Sequence, residues 1–565
     1  FRKVDRHPGG WTGMSAAEPF DGGPRIDRVA VAVVALTVAA LAARLVGLGA
    51  RPFHWDEARV GYWSLRFLDA GAFEYRPIAG GPLLYVVDRT VFALVGATDA
   101  TARAAVAVVG GLAPLAALLV RRSPDDGAVP RYRLGDAETV ALAALLAASP
   151  VLLYYGRFLR GDVPLAVFSL LVVGCAIRVL DGAGPRYRYL GAAALALAVA
   201  SSGFVVGYVL CWLAAAALTV DQRRLVGEGP SARAHLARAA ERLRGSTRSA
   251  LGALAVFLAV HVFFYAPRAG GSIRPSPSTV EAAVLGAARK FYGVRVVGRR
   301  QGGEHELLPY LSAHAETLLA ASGVVLALAV VGFLADRYGR GPSRPIVAFH
   351  AYWAGASLLV FPVVTEESAA WLAVHTVAPA LVPAAAAVGL LVRYGTRALD
   401  RSDATAVAVA GLLGLALVGQ VGVAVAGTAY GPTTAENPLV HHAQPADDLN
   451  PFVADVSAAI EGNRGTDVLF YGPTFVPAGP DGATAERPPV SDTWGNRLPL
   501  PWHLERMGAE TDGVRDLQGL EATETPPVVV ADASQRSTLA PRLDGYEART
   551  YRLSLWNREV VVFVR

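Results

Sequence analysis

Lysine is nearly missing from this chain. Of 52 basic residues only Lys3 and Lys290 are lysines, so arginine carries almost all the positive charge. Cysteine is just as scarce: Cys175 and Cys211 both lie in apolar runs, which argues against a disulfide framework or a cysteine metal site. No glycine-rich loop ends in Lys-Ser or Lys-Thr, so nucleotide hydrolysis has no support. No dinucleotide fingerprint follows a strand either. The first 27 residues contain no apolar core. They read as a cytoplasmic segment rather than a cleavable signal peptide, with the first apolar run an uncleaved anchor. There is no internal repeat and no long low-complexity tract.

Long apolar runs dominate instead. With 53% hydrophobic and 18% charged residues and a mean hydropathy of +0.37 over 565 residues, the chain reads as a polytopic α-helical membrane protein. Hydropathy places eleven spans, at 28–49, 102–120, 138–154, 163–180, 188–201, 203–220, 249–266, 316–335, 346–362, 371–392 and 404–427. The fifth and sixth are short, and the Ser201–Ser202–Gly203 break between them reads either as a tight turn or as a kink in one helix. Residues 428–565 carry a net charge of −8 and the remainder +13, so the two parts meet different surroundings. The body's arginines sit in short loops between spans. That fits membrane orientation and makes nucleic acid a poor partner. The basic 221–248 loop, with seven arginines, sets the N-terminus in the cytoplasm and the acidic tail outside.

Three segments then face outward: 50–101, 154–164 and 267–315, the last with a helix expected around Val280 to Phe291. Inside the first, "GPLLYVVDRTVFALVGATD" contains Asp88 and Arg89 and is expected to lie along the interface. The tail 428–565 reads as an α/β domain. Its strands are "TDVLFYG", "PPVVVAD", "RTYRLSLW" and "EVVVFVR", and its helices run over Asp448–Ile460 and Trp502–Met507.

Two stretches carry chemistry. "RPFHWDEARVGYW", Arg51–Trp63, sets His54, Asp56, Glu57 and Arg59 among aromatics directly after the first span. Such a carboxylate pair suits proton abstraction or the orienting of a hydroxyl, and burial plus mutual repulsion should raise one pKa. A plain interfacial anchor of Trp55, Tyr62 and Trp63 with solvated acids is the alternative. "YYGRFLRGDVP" puts Arg157 and Arg160 in a short outer loop, where they suit an anionic group such as a lipid phosphate, and Asp162 at the start of the fourth span. A helix cap at Asp162, followed by Pro164, explains those two residues equally well. His305 and His314, nine apart, lack the spacing of two ligands on one helix face, so no metal is assigned. His441 and His442 read as solvated.

In order along the chain, "FHWDEARVGYWSLRFLDAG", "GPLLY", "DATAR", "YYGRFLRGDVPLAVF", "TEESAAWLAVHTVAPAL" and "LPLPWHLERMG" resemble the GT-C glycosyltransferases. The chain is most similar to the archaeal flippase-activity-associated membrane proteins of the protein-glycosylation pathway. The resemblance implies a membrane enzyme that moves a sugar, with inversion, from a polyprenyl- or dolichyl-phosphate donor to a glycan or protein acceptor on the outer face, with membrane lipid around it and no cofactor. It implies Asp56, Glu57 and Asp162 as catalytic residues. His54, Arg59, Arg157, Arg160, Glu367, Trp371 and His375 are implied as substrate-binding residues. The chain departs from the family where Gly80 and Gly81 replace a histidine, Ser201 and Ser202 replace a Lys-Glu pair, and Ser368 replaces the lysine after Glu367. The lost lysines imply lost phosphate contacts. They keep open a second reading, a protein that binds a lipid-linked sugar without reacting and assists its flipping.

Overall fold

The computed structural model describes residues 27–77, 80–122, 133–225, 233, 237, 247–297, 307–339, 341–365, 369–477, 492–555 and 558–565. The segment 1–26, His305, Glu367, Ser368 and most of the basic 221–248 loop lie outside them. A helix forms at each of the eleven expected spans. In chain order, with the two shorter helices of segment 50–101, they are α1 (Arg28–Leu45), α2 (Trp55–Ala70), α3 (Pro82–Val95), α4 (Asp99–Leu112, extended by a 3₁₀ turn to Leu119), α5 (Asp136–Ala148), α6 (Pro150–Tyr155), α7 (Asp162–Leu180), α8 (Arg186–Ser201), α9 (Val205–Leu225), α10 (Thr247–Tyr265), α11 (Leu307–Tyr338), α12 (Pro345–Val364), α13 (Ala373–Asp400) and α14 (Ala404–Thr428). Eight stretches among these are long and apolar enough to cross a membrane. The third span is interrupted between α5 and α6, and α8 and α9 form the fifth and sixth. At 14 residues α3 is too short to cross. Within 267–315, helical backbone runs without a break from 277 to 297 and covers the helix expected around Val280 to Phe291, with π-helical turns at Ala282–Gly286 and Gly293–Val297.

The one charge in the first span has a structural reason. Pro150 has no N–H, so the carbonyl of Leu146 loses its helical donor in a place without water. Arg44 fills the gap: its guanidinium donates to the carbonyls of Leu146 at 3.3 Å and Ala147 at 3.1 Å. The core of the bundle is α13, buried along most of its length between α5, α11 and α12.

Ser202 is extended, so α8 and α9 are separate helices joined by a turn; α8 packs on α7 and α10, and α9 on α12. That turn forms a tight seam with the two glycine positions where the chain departs from the family. The N–H of Gly81 donates to the carbonyl of Ser201 at 2.7 Å. A Cβ on Gly81 would lie 2.0 Å from the carbonyl oxygen of Ala200, and one on Gly161 would lie 2.0 Å from that of Ser201. Backbone contact at this distance leaves no room for a histidine at 81.

The tail is a five-stranded sheet of order β2-β1-β3-β5-β4, built from β1 (Val468–Tyr471), β2 (Thr511–Val514), β3 (Val528–Asp532), β4 (Glu547–Arg552) and β5 (Glu559–Val564). β1 runs parallel to β2 and β3, whereas β5 is antiparallel to β3 and β4. Its central strands are continuous apolar runs because both faces are covered. Phe470, Val528 and Val562 pack on one side against α15 (Asn450–Ile460) and α16 (Leu500–Met507). Leu469, Val529 and Phe563 pack on the other side against Leu520, Leu539 and Leu543.

The helix "PWHLERM" fastens this domain to α2. Trp502 is fully buried, stacks on Phe53 at 4.7 Å, and donates from Nε1 to Asp99 at 2.8 Å. A Cβ on Gly61 would meet the Trp502 ring at 2.6 Å, so α2 presents a groove cut for this indole. Trp55 Nε1 donates to the carbonyl of Gly495, and Arg66 pairs with Glu505 at 3.2 Å.

Two substitutions test this architecture. Gly81→Ala overpacks the seam and should lower stability by about 1–3 kcal/mol. Gly355→Ala, with open space at its Cβ, should cost nothing when both are compared by thermal unfolding in detergent. Trp502→Ala empties the α2 groove and should cost about 3–5 kcal/mol, with earlier proteolytic release of the tail as the readout.

Candidate functional site

The adjacent acids of "HWDE" part company because successive residues on a helix point about 100° apart. Glu57 turns into the bundle and is fully buried. Arg103 grips it with Nε to Oε1 and Nη2 to Oε2, both at 2.7 Å. Its oxygens also accept from the N–H of His54 at 2.9 Å and the N–H of Leu159 at 2.8 Å. Arg103 spends its remaining donors on the carbonyls of Leu48, Arg51 and Pro52. One carboxylate thereby fixes the start of α2, the end of the α1–α2 loop, α4 and the 154–164 loop. Burial alone would raise the Glu57 pKa, but Arg103 and Arg51 outweigh it and hold it at about 2. Glu57 therefore has no lone pair left for a substrate.

Asp56 turns the other way. Its carboxylate forms a close ion pair with Arg160, whose Nε binds Oδ2 of Asp162 at 2.8 Å. The Arg160 guanidinium lies flat over Trp371 at 3.7 Å. Asp162 Oδ1 is 3.3 Å from Nε2 of His375, and Nδ1 of His375 shares a 2.9 Å hydrogen bond with the hydroxyl of Tyr208. The cluster is thus a row running Asp56, Arg160, Asp162, His375, Tyr208, drawn from α2, the 154–164 loop, α7, α13 and α9. Only Asp56 and Arg160 keep about an eighth of their side chains exposed, so they form the opening of the row. Among the described residues no three His, Cys, Asp or Glu side chains gather closely enough to hold a metal ion. The position between the two aspartates is taken by Arg160.

Several expectations change. Neither acid's pKa is raised: for Asp56 burial pushes it up, but the charges of Arg160 and Arg59 pull it below the usual range. Asp162 is not a cap. Gly161 precedes the helix, and Asp162 already sits in its first turn with its carboxylate bound to Arg160. Arg157 does not face the opening. It donates to the carbonyls of Ala43 at 3.2 Å and Gly47 at 2.9 Å and lies over Tyr430, closing the end of α1. His54 caps α2, its Nδ1 accepting from the N–H of Asp56. That leaves the proton on Nε2, and burial keeps the ring neutral with a pKa near 3. Arg59 stacks on Trp55 at 3.9 Å with its charge acting on Asp56.

Three groups escaped the sequence reading: Arg103, His441 and Tyr208, the last with no local mark at all. Arg103 was visible as the end of "DATAR", yet nothing local shows that it reaches Glu57. His441 is half-buried rather than solvated: it sits 4.4 Å from the Trp371 ring and 5.7 Å from that of His54. The segment joining α14 to the tail crosses the opening here. It is tied down by the Tyr155 hydroxyl on the carbonyl of Leu439 and by Gln444 on the carbonyl of Pro52.

The Glu57–Arg103 pair makes an acid-dependence prediction. A carboxylate moved from 4.5 when free to about 2 when folded stabilises the fold fully above pH 4.5, and that share is lost as pH falls towards 2. Melting temperature should therefore drop on acidification through this window. Glu57→Gln should cost about 3–5 kcal/mol at neutral pH and remove its share of the slope.

Residues 449–565 match the model of the Agl23 flippase-associated protein C-terminal domain. No curated protein sequence matches the chain. Solved structures do. ArnT from Cupriavidus metallidurans bound to undecaprenyl phosphate is 17% identical with a TM-score of 0.54, the match covering 94% of this chain and 97% of that one. The apo oligosaccharyltransferase of Archaeoglobus fulgidus is 13% identical with a TM-score of 0.54, covering 94% of this chain and 75% of that one. The AglB oligosaccharyltransferase of the same organism, with an inhibitory peptide and a dolichol-phosphate, is 14% identical with a TM-score of 0.50, covering 94% and 74%. The chain is a multi-pass membrane protein of GT-C fold whose C-terminal domain matches the Agl23 flippase-associated type.

Proposed function

We propose that the chain is a glycosyltransferase that takes a sugar from a polyprenyl-phosphate donor and passes it to an acceptor on the outer face of the membrane. The observation that carries this reading is the meeting of Asp56 and Asp162, over a hundred residues apart, on the one guanidinium of Arg160 at an opening of a GT-C bundle. The likeness to ArnT with undecaprenyl phosphate and to AglB with dolichol-phosphate supports a lipid-phosphate donor. The N-terminus is then cytoplasmic, and the tail lies outside with the site.

In this reading Arg160 and Arg59 receive the donor phosphate, His54 offers its Nε2 proton as a neutral hydrogen bond, and Trp371 supports the Arg160 plane. An acceptor hydroxyl attacks the anomeric carbon in line, the bond from that carbon to the phosphate oxygen breaks, and the lipid phosphate leaves with the electron pair. Asp56 takes the hydroxyl proton. While paired with Arg160 it is too acidic for that task. A phosphate that draws off Arg160 leaves Asp56 buried without its counter-ion, and burial then raises its basicity. Substrate binding and activation of the base become one event. Asp162, aligned by His375, holds Arg160 from behind. Glu57 and Arg157 act only by holding the scaffold, and Glu367 stays a substrate-binding candidate on its sequence motif alone.

A second reading has its own support. Both aspartates are held by the one guanidinium of Arg160, serines stand at 201 and 202 where the resemblance expects a Lys-Glu pair, and the tail matches a flippase-associated domain. These features suit a protein that binds a lipid-linked sugar and assists its passage without transfer.

Reconstitution with a labelled dolichyl-phosphate sugar and an acceptor fraction separates the two. Product formation supports the transferase, and scrambling of the label without product supports the helper. For the transferase, Asp56→Asn should lower the rate by roughly 10²–10⁴ with insertion and melting unchanged. An active Asp56→Asn protein removes Asp56 from the mechanism.

A further inference from the structure

The face of α2 that carries Asp56 continues through Arg59, Trp63, Arg66 and Ala70, at helical spacings of three, seven, ten and fourteen residues. Two turns along it, roughly 11 Å from Asp56, a cavity of about 180 Å³ opens between α2, residues 72–76 and the first turn of α3. That is below the roughly 300–1,000 Å³ of a site for a larger ligand, so it holds one small group. Trp63, Arg66, Arg76 and Tyr85 line it, and Glu74 stands at its rim, paired with Lys290.

Apart from Glu74, the polar side chains of this lining are hydrogen-bond donors set among Phe67, Ala70, Ala72 and Phe73. Tyr85 is about 95% buried, and its hydroxyl has no hydrogen-bond partner among the described residues; neither does Nε1 of Trp63. An indole N–H can only donate. The Arg76 guanidinium lies over the Trp63 ring at 4.0 Å, and Arg66 is steered by Glu505 of the tail. Buried donors without acceptors are costly unless a ligand supplies the acceptor. Donors backed by two guanidiniums select an anion rich in oxygen.

We propose that this cavity is a second subsite, taking a carboxylate or phosphate group carried by a sugar unit of the acceptor. The assignment of that sugar to the acceptor rests on the transferase reading; the binding itself does not. A bound anion would satisfy Trp63 and Tyr85, and the chain of the acceptor would run along α2 towards Asp56.

The test is equilibrium binding to the purified full-length protein, with glucuronate, glucose 6-phosphate and glucose as probes. Saturable binding of either anion and none of glucose is expected, and the tighter anion identifies the group. Tyr85→Phe removes one hydrogen bond and should weaken binding about threefold to tenfold; Arg76→Gln should weaken it about tenfold or more. Ala72→Cys gives an independent readout. With Cys175 and Cys211 buried, a charged thiol reagent should modify position 72, and the binding anion should protect it. Glucose binding as tightly as the anions, affinities unchanged in both variants, or no protection at position 72 would each overturn the proposal. Anion binding by wild-type protein that forms no product upholds the subsite while counting against the transferase.

Discussion

One buried ion pair decides where everything near the opening stands. Glu57 and Arg103 lie out of water, where an unmatched charge would cost several kcal/mol, so each must use all its hydrogen-bonding capacity. The bidentate contact and five backbone partners do that. Those partners come from the α1–α2 loop, the start of α2 and the 154–164 loop. Satisfying one charge pair therefore draws three separated stretches of chain to one point. Asp56 inherits its position from this arrangement, since its neighbour is fixed and the helix sets the angle between them. Arg160 inherits its position too, because the Leu159 N–H is bound to Glu57.

The result divides two identical chemical groups by environment. Glu57 faces cations and N–H groups on every side and is spent on structure. Asp56 shares one cation with Asp162 and keeps an exposed edge. An arginine between two aspartates leaves that trio one negative charge in excess, which Arg59 and the neutral His54 moderate. Such a set is sensitive to an arriving anion, because the anion competes for the one guanidinium both aspartates use. Lysine would hold this place less well: the planar guanidinium can serve Asp56 and Asp162 at once while stacking on Trp371.

Much of the membrane domain was legible because its signal is compositional. Apolar runs of about twenty residues give spans whatever they pack against, and the broken third span still read as one. The tail's inner strands were legible for a similar reason, being continuous Val and Phe runs. β2 was not: "TDGV" is a mostly exposed edge, polar enough to pass for a loop, and it is a strand only because β1 offers it a partner. At the site, Asp56, Asp162, Arg160, Trp371 and His375 could be named from their motifs, but their roles could not. Arg157 and Arg160 are three residues apart and equally basic, yet one closes the end of α1 and the other bridges the aspartates. Adjacency in sequence suggests that one acid of the Asp56–Glu57 pair is raised by its neighbour, whereas the fold gives each an attracting arginine, Arg160 and Arg103, and both are lowered. His441 and Tyr208 carry no local mark at all; only the folded chain brings them to Trp371 and His375.

The C-terminal domain belongs to this same physical unit. Its indole at position 502 fills a groove that Gly61 leaves in α2, on the very helix that begins with the two acids. The segment leading to it sets His441 against Trp371 and His54. A domain merely tethered outside the bundle would expose its own apolar surface and leave the bundle's opening broad. Here the two surfaces cover each other, and the opening that remains is bounded by Asp56 and Arg160. Nearby, Gly81 is joined to Ser201 by a backbone hydrogen bond, and no lysine stands at either position. Positive charge at the opening therefore comes from arginines, each already stacked on an aromatic ring or paired with an acid. A ligand gains from them only by replacing an existing partner, so selectivity is set by what the ligand can displace as much as by what it can contact.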